Sequence, residues 1–257
     1  MQARDFLLTS VRLCFALLLP TMSGNAAPVS AFLEVHGVKI HYVREGSGEP
    51  VVLIHGLYSS ARMNWEAPGI FALLAKDHDV IALDLPGHGE SDKPNDAAAY
   101  GDQMVEDVAL LMDHLHVAKA HIVGYSLGGL IALKFIVEHP DRVLSGTLGG
   151  MGWMKEGGYL QGEWERMGLG ARFSSTPLVC VHSIAQLALT EAQVRSVRVP
   201  MKVIVGDRDP VRKLYVLPLQ AIRPDWPVVE IKDAGHLSCI AKAPFKDELA
   251  RLPHAGL

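Results

Sequence analysis

Apolar residues recur along this 257-residue chain in two rhythms. From residue 31 the run AFLEVHGVKIHYVREG alternates apolar and polar positions on both sides of His36-Gly37, the pattern of two antiparallel strands joined by a tight turn. Unbroken apolar runs follow at VVLIHG (51–56), DVIALDL (79–85), AHIVGYS (120–126), RVLSGTL (142–148), MKVIVGD (201–207) and PVVEIKD (227–233). Each has the length of a strand buried on both faces. Between them, apolar positions fall at helical spacing over 61–76, 102–116, 127–139, 211–222 and near 244–252. Buried strands alternating with covering helices predict an α/β fold: one eight-stranded, mostly parallel sheet with helices on both faces.

The alternation lapses once. Residues 149–200 contain helical pieces, GYLQGEWERMGL and SIAQLALTEAQVRS, but no strand. Met151, Trp153, Met154, Tyr159, Trp164 and Met167 give this insertion an apolar underside, which predicts a small helical cap over the strand ends; extra packing at a sheet edge is the plainer alternative. No repeat or linker divides the remainder, so residues 28–257 are expected to form one domain.

The first 27 residues follow another pattern: Arg4 and Arg12 precede the apolar run LCFALLLPTM, and the small, polar stretch SGNAA follows. This is the layout of a cleavable signal peptide, which predicts export to a secreted or periplasmic location. Pro20 interrupts the run, which is shorter than the ~20 residues needed to span a bilayer, so no stable membrane anchor is expected. Cys14 would leave with the leader, and Cys180 and Cys239 would remain, either paired or as two buried thiols. A chain that is 49% hydrophobic and 20% charged is too apolar to be disordered. Its net charge of −4 and its lack of Lys/Arg clusters exclude a nucleic-acid partner. No histidine or cysteine spacing suits a metal, and no nucleotide or flavin motif is present, so no cofactor is expected.

Candidate chemistry centres on Gly124-Tyr125-Ser126-Leu127-Gly128, a G-x-S-x-G sequence between a strand and a helix. Such a turn exposes the serine, and the following helix directs backbone N–H groups at developing negative charge. His55-Gly56-Leu57-Tyr58 follows an earlier strand, where the N–H of Leu57 can join that of Leu127 in an oxyanion hole; His55 is read as fixing the turn. Tyr58, Tyr125 and Trp153 are candidates to line a substrate pocket. An acid and a base should follow the serine in that order. IVGDRDP offers Asp207 and Asp209, and IKDAGHLS offers His236, each at the carboxyl end of a predicted strand.

The blocks HGLYSS, DLPGHGESDKP, GYSLGG, VGDRDP and DAGHLS, in this order over residues 51–238, resemble the α/β-hydrolase superfamily, in particular its compact, cap-bearing serine esterases. The resemblance implies Ser126 as nucleophile, His236 as general base and acid, Asp209 as orienting carboxylate, and Leu57 and Leu127 as oxyanion donors. It leaves Asp207 to hold its loop, and Asp84, Gly87, His88 and Gly89 to shape a loop near the site. The implied activity is hydrolysis of a small or medium-sized carboxylic ester through an acyl-enzyme. Acyl transfer, perhydrolysis and carbon–carbon bond hydrolysis use the same triad, and a non-catalytic ligand-binding protein is the alternative of another class. Relatives that open epoxides or displace halides carry aspartate where this chain has Ser126.

Overall fold

The computed structural model describes residues 28–166 and 175–253. Its strands are β1 (Val29–Val35), β2 (Val38–Gly46), β3 (Glu49–Ile54), β4 (His78–Leu83), β5 (Ala120–Tyr125), β6 (Val143–Gly149), β7 (Met201–Gly206) and β8 (Val228–Ile231). They form a single sheet in the order β1-β2-β4-β3-β5-β6-β7-β8. β2 runs antiparallel to β1 and β4, and every other neighbouring pair is parallel. The predicted eight-stranded α/β sheet is therefore present. His36 and Gly37 both take positive φ, 48° and 79°, between the paired residues Val35 and Val38, so the opening hairpin closes with a two-residue turn matched to strand twist.

Helices α1 (Ile70–Leu74), α2 (Asp102–His114), α3 (Leu127–Glu138), α4 (Tyr159–Arg166), α5 (Leu178–Ser183), α6 (Glu191–Ser196), α7 (Leu217–Ile222), α8 (His236–Cys239) and α9 (Ala243–Leu249) surround the sheet. Strand β3 shows how the two faces are filled, because its side chains alternate. Val52 and Ile54 join one apolar cluster with Val108 of α2, Leu130 and Leu133 of α3 and Leu219 of α7. Val51 and Leu53 join a second with Trp65, Phe71 and Leu74 around α1 and Phe245 and Leu249 of α9. The central strands are thus dry on both sides, as their unbroken apolar runs require.

Two predicted helices are interrupted. Over 61–76 a π-helical turn, Arg62–Glu66, gives way to α1 across Pro68-Gly69, where proline lacks an N–H and Gly69 sits at φ 79°. Over 211–222 a second π-helical turn, Arg212–Val216, precedes α7.

Among its described residues, the segment between β6 and β7 adds no strand to the sheet and contributes α4, α5 and α6. It is tied to loops that follow several strands: Thr176 Oγ1 donates to Gly87 O (3.0 Å), and Trp164 Nε1 donates to Tyr215 Oη (3.0 Å). Lys134 of α3, almost wholly buried, donates to Gln186 O (2.9 Å) and pairs with Asp102 (2.8 Å). Met151, Trp153 and Met154 are buried as expected of an apolar underside, whereas Tyr159 is 74% exposed and faces solvent. Met167 and residues 1–27, where the leader is expected, lie outside the described residues. Cys180 and Cys239 are free thiols, and burial pushes each up to about 12. Among the described residues no helix is long and apolar enough to cross a membrane.

Candidate active site

Ser126 sits between the last residue of β5 and the first of α3, with φ 54° and ψ −118°. A non-glycine residue occupies this region only when its surroundings enforce it. Here the enforcement is steric and hydrogen-bonded. A Cβ on Gly124 would overlap Gly128 O, and one on Gly128 would overlap Ile54 O, so only glycines let β5, α3 and β3 approach this closely. Ser126 N donates to Gly149 O of β6 (2.9 Å), and Ser126 O accepts the N–H of Gly129 (2.8 Å). Ser126 is left partly exposed between buried neighbours.

His236, just after β8, reaches Ser126 Oγ through Nε2 (2.9 Å). Its Nδ1 lies 2.8 Å from Asp209 Oδ2, which fixes the Nδ1–H tautomer and leaves Nε2 as the acceptor for the serine proton. The Asp209 carboxylate is completely shielded from solvent, and its other oxygen accepts the N–H of Val211 (2.9 Å). Asp207, the competing acid, points elsewhere. It accepts the N–H of Ala234 (3.1 Å), a contact that lowers its pKa and ties the loop after β7 to the loop carrying His236.

The turn holding Leu57 is locked from two sides. His55, completely buried, donates from Nδ1 to Gly56 O (2.7 Å) and accepts the N–H of Leu85 at Nε2 (3.0 Å). Burial lowers its pKa and keeps it neutral for both tasks. Gly56 N donates to Asn64 Oδ1 (2.7 Å), and a Cβ on Gly56 would meet the Ser126 Cβ at 3.1 Å. The turn therefore abuts the serine. Among the described residues no hydrogen bond engages the N–H of Leu57 or Leu127, so both donors are free.

Behind this turn, burial alone would raise the pKa of Asp84. The N–H groups of Glu90 and Ala61 and the rings of His55 and His41 together lower it, so Asp84 is an ionised hub joining the segments after β3 and β4 to strand β2. His88 packs edge-on against His55, with ring centroids 5.2 Å apart, and burial drives its pKa down to about 3. Both match their expected structural roles.

Two pocket assignments need correction. The Tyr125 side chain is buried, its hydroxyl donates to His236 O, and its ring packs on those of His236 and Phe245 at 5.7 Å. It supports the histidine instead of lining open space. Trp153 is also buried, with Nε1 donating to Leu189 O (2.8 Å), so it braces the helical insertion. Adjacent apolar patterning gave no sign of either role, since both depend on partners distant in sequence. Tyr58, at φ 59° and partly exposed, keeps access to solvent. Sequence reasoning missed Asn64, a lone asparagine in a helical pattern with no local signal. One group among the described residues could share a metal ion, Glu106, Glu138 and His139. It lies at the far end of α3, about 18 Å along the helix from Ser126, and Lys134 competes for Glu138 (3.5 Å).

The α/β-hydrolase-fold family model matches residues 49–166. In sequence over that stretch, and in fold over the whole sheet, the chain matches the α/β-hydrolase superfamily. It is 40% identical over 144 residues to the dihydrolipoyllysine-residue acetyltransferase component of the acetoin cleaving system of Cupriavidus necator, a match covering 54% of this chain and 37% of that protein. It is 34% identical over 121 residues to 2-hydroxymuconate semialdehyde hydrolase of Pseudomonas sp. strain CF600, covering 46% and 42%. The matches thus span less than half the length of these curated relatives. Among solved structures, a bacterial membrane phospholipase A superposes with a TM-score of 0.65 at 26% identity, covering 87% of this chain and 84% of that one.

The elbow geometry predicts that Gly128→Ala, which drives a methyl group into Ile54 O, destabilises this α/β hydrolase by at least about 3 kcal/mol in urea unfolding. A change below 1 kcal/mol would mean that β3 and α3 can separate freely.

Proposed function

We propose that this α/β hydrolase cleaves carboxylic esters through a serine acyl-enzyme. The observation that carries the reading is the continuous chain Ser126 Oγ, His236 Nε2, His236 Nδ1, Asp209 Oδ2, with both links under 3 Å. As Ser126 Oγ attacks the carbonyl carbon, its proton passes to His236 Nε2, and shielded Asp209 stabilises the resulting imidazolium. Negative charge gathers on the former carbonyl oxygen, where the N–H groups of Leu57 and Leu127 receive it. His236 returns the proton to the departing alcohol. Water then repeats the sequence against the acyl-serine, using the same base.

The hydrolase named among the relatives agrees with hydrolysis, and the phospholipase A among the structural neighbours with an ester substrate. Transfer of the acyl group to an alcohol in place of water is the second reading, favoured by the 40% match to a protein named as an acetyltransferase. The substrate we infer is a small molecule, with the helical insertion between β6 and β7 as the roof of a short acyl pocket. The arrangement Arg4, Arg12, LCFALLLPTM, SGNAA further supports export and removal of residues 1–27.

Ser126→Ala should abolish fluorophosphonate labelling and cut p-nitrophenyl ester turnover by about 10⁴-fold or more while the far-ultraviolet dichroism is unchanged. Asp209→Asn should lower kcat by roughly 10³- to 10⁴-fold, and Asp207→Asn by far less, because only Asp209 meets the imidazole. The opposite ranking would reassign the acid.

Each acyl methylene adds about 0.8 kcal/mol while it remains buried, so kcat/KM should rise over the first few carbons and then fall. Acetate to hexanoate esters should exceed dodecanoate and palmitate, all measured below their aggregation limits. A steady rise through palmitate would place the protein with long-chain lipid hydrolases. N-terminal sequencing of material recovered outside the cytoplasm should read from about Pro28; finding Met1 there would refute cleavage.

A further inference from the structure

A cavity of about 500 Å³ lies apart from the serine, between the β1–β2 turn, the loop of residues 86–99 and α2. Its walls are largely apolar, with Val35, Val38, Pro86, Pro94 and Ala99 among them, and none belongs to the Ser126 site. Its polar lining comprises His36, Asp96, Gln103 and Asp107. Among the described residues no lysine or arginine lines it.

Asp107 is the anomaly. It is only 2% exposed on α2, yet no cation among the described residues pairs with it. One carboxyl oxygen accepts from Gln103 Nε2 (3.0 Å); the other has no protein partner among the described residues, and the residue forms part of the cavity wall. Buried carboxylates are ordinarily matched by a cation or by several donors.

We propose that this cavity binds a small organic cation, a primary or secondary amine on an apolar body, with Asp107 as its counter-ion. The acidic lining selects positive charge: Asp96 is exposed and Asp107 buried. The apolar walls select a hydrophobic body, and the volume suits a ligand of roughly drug size. Gln103 orients the carboxyl so that its free oxygen remains for an ammonium group.

Protonation of Asp107 follows from the same environment. Burial raises its pKa to about 7; Gln103 partly offsets this, and the charge of Glu106 adds to it. His36 and Asp96 are the other titratable groups on the lining. With the site empty, the carboxyl keeps its proton below about pH 7, and an arriving ammonium must displace that proton. Binding is therefore favoured as pH rises through 7 and opposed as it falls. Between pH 5.5 and 8.5 the ionised fraction of such a group grows about 30-fold.

Isothermal titration with tryptamine, using the full exported chain and its Ser126→Ala variant, tests the site independently of catalysis. Tryptophol, which replaces the ammonium by a hydroxyl, is the neutral control. Saturable tryptamine binding is expected in both proteins, about 10- to 30-fold tighter at pH 8.5 than at 5.5, with tryptophol at least tenfold weaker. Asp107→Asn should remove the pH dependence and weaken tryptamine at least tenfold. Absence of saturable tryptamine binding up to millimolar concentration, or equal binding of amine and alcohol to the unmodified protein, would overturn the proposal even if the Asp107 variant fails to fold. So would an Asp107→Asn protein that binds tryptamine as tightly as the parent.

Discussion

The close approach of three backbones at Gly124, Gly128 and Ile54 is the contact on which the rest of the site depends. It brings α3 against β3 and β5 closely enough that Ser126 has no choice but a left-handed φ, and the strain is spread into the central strands and the hydrogen bond to Gly149. The same approach brings Gly56 to the edge of the serine, so the nucleophile and the free N–H groups of Leu57 and Leu127 share one rigid origin. The reacting groups are thereby organised before any substrate arrives, which is where electrostatic catalysis gains most.

Charge is arranged in two layers around this point. Asp209 is sealed from water and spends both oxygens on His236 and Val211, so its negative charge acts on the imidazole with little solvent screening. Asp84, one layer behind, binds Ala61, Glu90 and His41 and never touches the serine. His55, held neutral by burial, links Asp84 to the oxyanion turn: its Nε2 lies 4.0 Å from Asp84 Oδ1 and its Nδ1 holds Gly56 O, while neutral His88 packs on its ring. A proton on His55 Nε2 would remove the acceptor that the Leu85 N–H uses and so release one of the two bonds that lock the turn.

The strand runs, the hairpin and the order Ser126, Asp209, His236 were legible in the sequence because each rests on a local rule: periodicity, a two-residue turn, or a motif at a strand end. The helix predicted over 61–76 was less so, since Pro68-Gly69 breaks a pattern that hydrophobic spacing alone presents as continuous. Tyr125, Trp153 and Asn64 show where local rules stop. Tyr125 adjoins the nucleophile and was expected to touch substrate, but 111 residues separate it from the carbonyl that claims its hydroxyl. Asn64 secures Gly56 only because a π-helical turn swings it back over the strand end. Such roles are properties of assembled surfaces, and no window of sequence contains both partners.

The Tyr125 clamp also bears on how the site fails. Because the residue before the nucleophile holds the backbone of the base, Ser126 and His236 move as one body with β5, despite lying 110 residues apart in the chain. Loosening of the last turn of the fold, around α8 and α9, is therefore felt at the elbow through the Phe245–Tyr125 ring contact. The carboxyl-terminal helix, remote from any chemistry, is in mechanical series with the nucleophile, and the local stability of that terminus sets an upper limit on how long the alignment persists at elevated temperature.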